Sequence, residues 1–277
     1  VRTIRPSSLT SASDCMRRWA AHHISDDLAA AGYSLNPRSS LHIGAAVGSG
    51  VHAGVSFTLE TKRDTGEMGA ESEAVDRAVA EFETRAAEEG LHFDEVTRSA
   101  GVAQQQIARM TRSYRKHVAP DVEPRLVETR LVVDIGQGWR LSGQGDVLAG
   151  DPTNDVRDVK TGARRRANGV QYGAYALIFQ AHGFTATGII EDFIPRVRIA
   201  NEQPPPTSTQ IAVSTALSEA VAAMTDIQRS VAAFEGLLKD GSAAPETALR
   251  ANPASALCSP QFCRAHGTRF CRAHLTT

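Results

Sequence analysis

No unbroken apolar run of about 18 residues occurs in this 277-residue chain, which excludes a transmembrane helix. The opening segment VRTIRPSSLT lacks the apolar stretch of a secretory signal, so a cytoplasmic protein is expected, with no membrane partner. Val1 in place of Met suits a GUG start and points to a bacterial or phage gene. There is no internal repeat and no P-loop of the form G-x-x-x-x-G-K-[ST], so any unwinding motor must be another chain. Charge of one sign is missing too: 30 Lys and Arg face 31 Asp and Glu, without the basic excess of many nucleic-acid binders. Basic residues gather locally instead. Arg164, Arg165 and Arg166 are adjacent, and Arg109, Arg112, Arg115 and Lys116 recur along a helical stretch. The tail from Ala251 to Thr277 holds Arg264, Arg269 and Arg272 and no acid. Phosphate contact is the expectation for these runs.

Cysteine is nearly absent. The four are Cys15, Cys258, Cys263 and Cys271, so the long middle of the chain has none. Without an export signal, disulfides are not expected and metal binding is the better reading. Four thiolates suit either a [4Fe–4S] cluster or a Cys₄ zinc site, with His266 and His274 as rival ligands. If Cys15 shares a metal with the other three, the tail must return to the N-terminus.

The apolar period divides the chain. Residues 8–24 read as one helix capped by Ser11 or Ser13, with Cys15 in its first turn. Residues 41–63 carry Val47, Val51, Val55 and Leu59 at helical spacing, and helices follow over 71–89 and 97–118. From Arg125 the period becomes two: RLVETRLVVDI, WRLSGQGDVLAG and DVRDVKTG read as consecutive antiparallel strands. A helix over 168–182, a strand in TATGIIEDFIPR, an irregular exposed loop NEQPPPTSTQ and a long helix over 214–239 complete the pattern. Such an order implies a mixed α/β domain with a helical N-terminal portion folded over it.

Within the meander, Asp146 ends one strand and the turn GDPTND folds it back beside Asp158. Asp158 and Lys160 are two apart on a strand and project together, while Val159 points to the core. Two carboxylates and an ammonium on one face suit a Mg²⁺ site acting on a phosphodiester.

With these residues assembled, the chain resembles the PD-(D/E)XK nuclease superfamily, and most of all its iron–sulfur branch of RecB- and AddB-type nuclease domains and CRISPR-associated exonucleases. SSLTSASDCMRRWA is similar to the family's opening, GSGVH to the segment that supplies a metal-ligating histidine, GQGD to the G-x-x-D strand, DVKTG to the D-x-K strand, and QYGAY to the Q-x-x-x-Y helix. The resemblance implies His52, Asp146, Asp158 and the Val159 carbonyl as ligands of Mg²⁺ or Mn²⁺. It implies Lys160 as the catalytic cation, and Gln171 and Tyr175 as residues positioning Lys160 or the DNA backbone. Glu128 is a further candidate for the site, with Glu123 as its rival. Cys15, Cys258, Cys263 and Cys271 would bind [4Fe–4S]; the spacing C-x₄-C-x₇-C is wider than the family's C-x₂-C-x₅-C, so structural Zn²⁺ stays an alternative.

The resulting expectation is one α/β, restriction-endonuclease-like domain over residues 1–277: a mixed sheet core flanked by helices. It would comprise a helical portion (1–120), a catalytic sheet core (121–200), and a C-terminal helix with a metal-stapled cysteine tail (201–277). Its function would be a Mg²⁺- or Mn²⁺-dependent exonuclease on single-stranded or end-bearing DNA, in recombination, repair or phage DNA processing, with a separate helicase or recombinase as partner. The alternative is a non-catalytic DNA-binding module stapled by the Cys₄ site.

Overall fold

In chain order, the helices of the first half are α1 (Pro6–Asp14), α2 (Met16–His23), α3 (Ser25–Ala30), α4 (Ile43–Thr65), α5 (Glu71–Glu89) and α6 (Ala100–His117). Three short strands lie among them: β1 (Arg2–Ile4), β2 (Leu41–His42) and β3 (Leu91–His92). The second half supplies β4 (Pro124–Asp134), β5 (Trp139–Ala149), β6 (Asp155–Gly162), α7 (Gly169–Ala181), β7 (Gly188–Pro195), β8 (Thr207–Ile211) and α8 (Val213–Lys239). The computed structural model describes residues 1–37, 39–150, 153–166 and 168–273. Asp151 and Pro152 of the expected turn, and the rival ligand His274, lie outside the described residues. Among those described, no helix is long and apolar enough to cross a membrane.

The expected meander forms: β4 pairs with β5 and β5 with β6, both antiparallel. β6 then runs parallel to β7, with α7 as the connection that parallel pairing requires. β1 adds in parallel to β5 at Trp139–Leu141, so β1 and β6 share one edge of β5 while β4 takes the other. The result is a mixed sheet flanked by helices, as the sequence implied.

One sheet face meets α1, α2, α7, α8 and the tail in a core that includes Leu9, Trp19, Leu141, Val156, Tyr172, Phe179 and Phe270. The other meets α4 and α6 through Val47, Val51, Ile107, Met110, Tyr114 and Val159. Val156 and Val159 on β6, and Ile189 and Ile194 on β7, fall into opposite cores, as the strand period of two requires. The spaced valines of α4 are all buried. The tail returns to the first helices: Arg17 Nε donates to the Leu249 carbonyl at 2.9 Å, and Ser255 Oγ donates to Asp14 at 2.6 Å.

Three expectations are corrected. Residues 8–24 do not form one helix: α1 starts at Pro6, which suits a first helical turn, and neither Ser11 nor Ser13 caps it. Cys15 is an extended link between α1 and α2 (φ −152°, ψ 107°) rather than part of a helical turn. Second, the last four residues of the presumed loop form, with Ile211, the strand Thr207–Ile211, which pairs with β7 as an outer strand. Its polar, Thr-rich sequence carries too weak an apolar alternation to be seen, and the prolines before it suit an edge. Third, two members of the basic run on α6, Arg109 and Arg115, are turned to structural use, while Arg112 and Lys116 stay exposed. Arg109 donates to the carbonyls of Ile199 and Asn201, Arg112 pairs with Glu71, and buried Arg115 donates to Thr58 Oγ1 and the carbonyls of Met68 and Gly69.

Among the described glycines, the tightest site is Gly173, where α7 meets α8. A Cβ at Gly173 would lie 1.9 Å from the Ala216 carbonyl oxygen, and backbone cannot swing aside as a side chain can. We expect Gly173→Ala to destabilise the protein by about 3 kcal/mol or more, beyond ordinary overpacking, despite the higher helix propensity of alanine. Urea unfolding of the two proteins checks this; equal midpoints would contradict the packing.

Candidate active site

β5 and β6 stay paired only from Val147↔Arg157 to Ala149↔Asp155, and then part. Asp146 and Asp158 sit just past the last pair, in the fork. Asp146 is therefore inside β5, which continues to Ala149, rather than at its end. In place of a ladder bond, the Val159 N–H donates to Asp146 Oδ2 at 2.8 Å. That bond fixes the Asp146 carboxylate against the D-x-K strand.

The strand across from Asp146 is also irregular. Glu128 has φ 46°, a left-handed conformation that a non-glycine residue adopts only at a cost of roughly 1–3 kcal/mol. Val127 and Val147 pack in the core shared with α4, and their neighbours Glu128 and Asp146 also meet His52 of that helix. Flat strands would turn adjacent side chains to opposite faces. The kink at Glu128 thus puts two carboxylates before one imidazole.

His52 Nδ1 lies 3.5 Å from Asp146 Oδ2 and 3.8 Å from Glu128 Oε1. Ligand atoms of these three residues all fall within 4.8 Å of one another, the one such group of His, Cys, Asp and Glu among the described residues. Glu128 is held by two donors: Gln144 Nε2 at 2.9 Å and Ser56 Oγ at 3.1 Å. Neither Ser56 nor Gln144 was expected, although each leaves a signal. Ser56 is one helical turn beyond His52, and Gln144 is two residues before Asp146 on the same strand. The rival Glu123 lies outside the group and pairs with Lys62.

Asp158 is 1% exposed and forms an ion pair with Lys160. Neither of its oxygens accepts a hydrogen bond of ordinary geometry from the described residues. Buried carboxylate oxygens without such donors are costly unless something else compensates them, so they fit a cation. Gln171 and Tyr175 are both buried on α7, with Gln171 Nε2 3.4 Å from the Tyr175 hydroxyl. The Tyr175 ring packs by Gly145, the residue before Asp146.

The electrostatics follow from confinement. Burial raises the Asp158 carboxyl, the nearby Asp146 charge adds to this, and Lys160 only partly offsets them, leaving it at about 7. Burial likewise raises Asp146, against the pull of His52 and Lys160. Burial works against protonated His52, but Asp146 and Glu128 outweigh it and bring the imidazole up to about 9. Carboxylates that retain a proton on a half-buried imidazole are the donors a divalent cation would use.

His52, Glu128 and Gln144 line a groove of about 1420 Å³ that runs past Lys160 to Arg164, Arg165 and Arg166 and on to His42 and Arg196. The second sequence feature is separate. Cys15, Cys258, Cys263 and Cys271 line one small pocket between α2 and the tail, all four free, with His266 on its wall.

A family model described as the PD-(D/E)XK nuclease superfamily matches residues 3–268. No curated protein sequence matches the chain. Among solved structures, a protein from Eubacterium rectale named provisionally as an exonuclease is similar with a TM-score of 0.53. It is 12% identical over 93% of this chain and 87% of that one, a likeness of fold. The structure of SSO0001 is 10% identical over 73% of this chain and 83% of that one, and its TM-score of 0.27 carries no argument.

The groove's far rim is set by Asp94 and buried Arg196. The guanidinium donates to both Asp94 oxygens, at 3.1 and 2.5 Å, and Asp94 also accepts the N–H groups of Val96 and Thr97. Partial burial would raise this carboxyl, but the Arg196 fork and the backbone donors hold it down at about 2. A depressed carboxyl contributes stability above its unfolded pKa, near 4, and loses it as pH falls through the folded value. Asp94→Asn should therefore cost on the order of 2 kcal/mol at neutral pH and little at pH ~2. Urea midpoints measured across that range test this, and a cost independent of pH would refute it.

Proposed function

The chain belongs to the PD-(D/E)XK nuclease superfamily, and from that premise we propose that it is a divalent-metal-dependent DNA exonuclease. The observation that carries this reading is the convergence of His52, Glu128 and Asp146 beside the Asp158–Lys160 pair. An imidazole nitrogen and carboxylate oxygens suit Mg²⁺ or Mn²⁺, with Asp158 and the Val159 carbonyl as additional oxygens. When bound, such an ion polarises a phosphoryl oxygen and lowers the pKa of water.

The chain's own groups do the rest. Lys160, held by Asp158, stabilises negative charge developing on the phosphate. Asp146, pinned by the Val159 N–H, and Glu128, pinned by Ser56 and Gln144, keep their oxygens in place without reorganisation. Gln171 and Tyr175 close the α7 side. The arginines at 164–166 supply phosphate contacts along the groove. Substrate would be single-stranded DNA or duplex ends, in recombination, repair or phage DNA processing, with a separate helicase or recombinase presenting it. The provisional name of the Eubacterium rectale protein supports exo- over endonucleolytic action.

The four cysteines would hold a [4Fe–4S] cluster. All four line one small pocket, which supports a single shared centre, with structural Zn²⁺ as the alternative. Its role would be to staple the tail to the first helices, away from the hydrolytic groove.

On end-labelled DNA with Mn²⁺, Asp146→Ala, Asp158→Ala and Lys160→Ala should each lower turnover by about 10² to 10³ while the fold persists. Near-normal cleavage by Lys160→Ala would sink the assignment. His52→Ala should shift the Mn²⁺ titration to higher concentration with little change in DNA affinity, which rests on spread phosphate contacts.

Substituting any one of the four cysteines should lower solubility and melting temperature before it changes chemistry, because metal binding couples to folding. Anaerobic preparation followed by metal analysis decides the cofactor. Iron with sulfide is expected, and stoichiometric zinc without iron would overturn it.

A further inference from the structure

Glu191 is 1% exposed in the middle of β7, and the proposed hydrolysis has so far given it no task. It is the register partner of Asp158 across the parallel pair, so it lies beside the D-x-K strand at the level of the site. Both of its oxygens are used. Oε1 accepts from Arg165 Nε, and Oε2 accepts from the Tyr172 hydroxyl. Arg165 belongs to the arginine loop on the groove. Tyr172 is fully buried on α7, and its ring faces Lys160, whose Nζ is 5.6 Å from the ring centroid. That distance is within the range in which an aromatic face attracts an ammonium.

We propose that Glu191 is a positioning residue that couples the DNA-binding arginine loop to the catalytic lysine, through Arg165 on one side and the Tyr172 ring on the other. This rests on the nuclease reading of the same site. Burying a carboxylate costs several kcal/mol unless it is paired and hydrogen-bonded, and an apolar residue would fill a strand interior without that cost. Here the charge is spent on ordering two groups that a strand alone cannot hold: a loop arginine and a tyrosine ring beneath a flexible lysine stem. Lys160 has a long side chain and touches Asp158 at its tip. The ring gives the ammonium a second, nonionic surface, so the lysine is oriented from two directions. On the other branch, Arg165 is tied down so that Arg164 and Arg166, its neighbours on the groove wall, are presented to phosphate. A single carboxylate thereby sets both substrate hold and the geometry of the step.

The two branches predict a division of kinetic effects that a purely structural role does not. With an end-labelled single-stranded oligonucleotide and Mn²⁺, Tyr172→Leu should lower kcat about tenfold with KM unchanged. Tyr172→Phe, which keeps the ring but loses its tether to Glu191, should lower kcat to about the same degree as Glu191→Gln. Arg165→Met should raise KM several-fold, roughly the effect of one phosphate contact, with kcat unchanged. Glu191→Gln should do both. Melting temperatures measured in parallel separate these effects from loss of fold.

If Glu191→Gln lowers only the melting temperature and leaves kcat and KM alone, the proposal is wrong. If that variant does not fold, the other two decide: should Tyr172→Leu and Arg165→Met move the same parameter, or neither, the coupling does not exist. Lys160→Ala in the same assay keeps the two levels apart. Its full activity would remove the nuclease reading itself, whereas a silent Glu191→Gln in an enzyme that needs Lys160 removes only this inference.

Discussion

Charge compensation in the fork between β5 and β6 is the constraint on which the rest of the structure depends. Three carboxylates, Glu128, Asp146 and Asp158, crowd around two cations, His52 and Lys160, with the two aspartates largely shut off from water. Such a set is unfavourable unless each charge meets an opposite one at close range. The surroundings are arranged to that end. The strands part so that Val159 N–H can reach Asp146, Glu128 accepts a left-handed backbone to face His52, and α4 approaches β6 closely enough that a Cβ at Gly48 would lie 2.9 Å from Thr161 Oγ1. Locally unfavourable geometry is concentrated where the chemistry needs it.

Holding that fork open requires rigid walls on both faces of the sheet. On one side α4 is packed against α5 and α6, with Gly50 and Gly54 letting helix backbones approach; a Cβ at either would lie under 3 Å from α5 carbonyls. On the other side α7 is clamped between the sheet and α8, and brings Gln171, Tyr172 and Tyr175 to the site. The tail then closes this second core from outside, through Phe270 and the bonds from Arg17 and Ser255 to its partners. A metal-bound cysteine set there would stabilise the very helices that α7 leans upon. Hydrolytic site and cysteine pocket are thus separate in space but share one core.

Much of this was legible in the chain because it is written in local patterns. Strand alternation in β4 to β6 and the valine stripe of α4 come from periods that a single segment displays, whereas α7 proves buried almost all round instead of amphipathic. Asp146, Asp158, Lys160 and the cysteines stand out because their chemistry and spacing are rare together. The boundary errors have the same origin. Cys15 divides the helical stretch by adopting an extended backbone between the Ser/Thr-rich α1 and the Arg/Ala-rich α2. The edge strand β8 is made by the hydrogen-bonding groups of β7 rather than by any apolar alternation of its own. The arginines of α6 have the spacing of a basic face, yet loop carbonyls from elsewhere in the chain claim Arg109 and Arg115.

By itself, then, the sequence determined the order of the longer helices and strands, the superfamily, and the short motifs that carry carboxylate, ammonium and thiol. Those depend on residue type and near neighbours. Only the tertiary structure decided which residues meet. Glu128 rather than Glu123 joins His52 and Asp146, because a kink in one strand and the approach of a helix from 72 residues upstream of the hydrogen bond set that choice. Ser56, Gln144, Tyr172 and Glu191 acquire their partners in the same way. Hydrogen bonds and ion pairs act over a few ångströms, and distances of that kind exist only after the chain has folded.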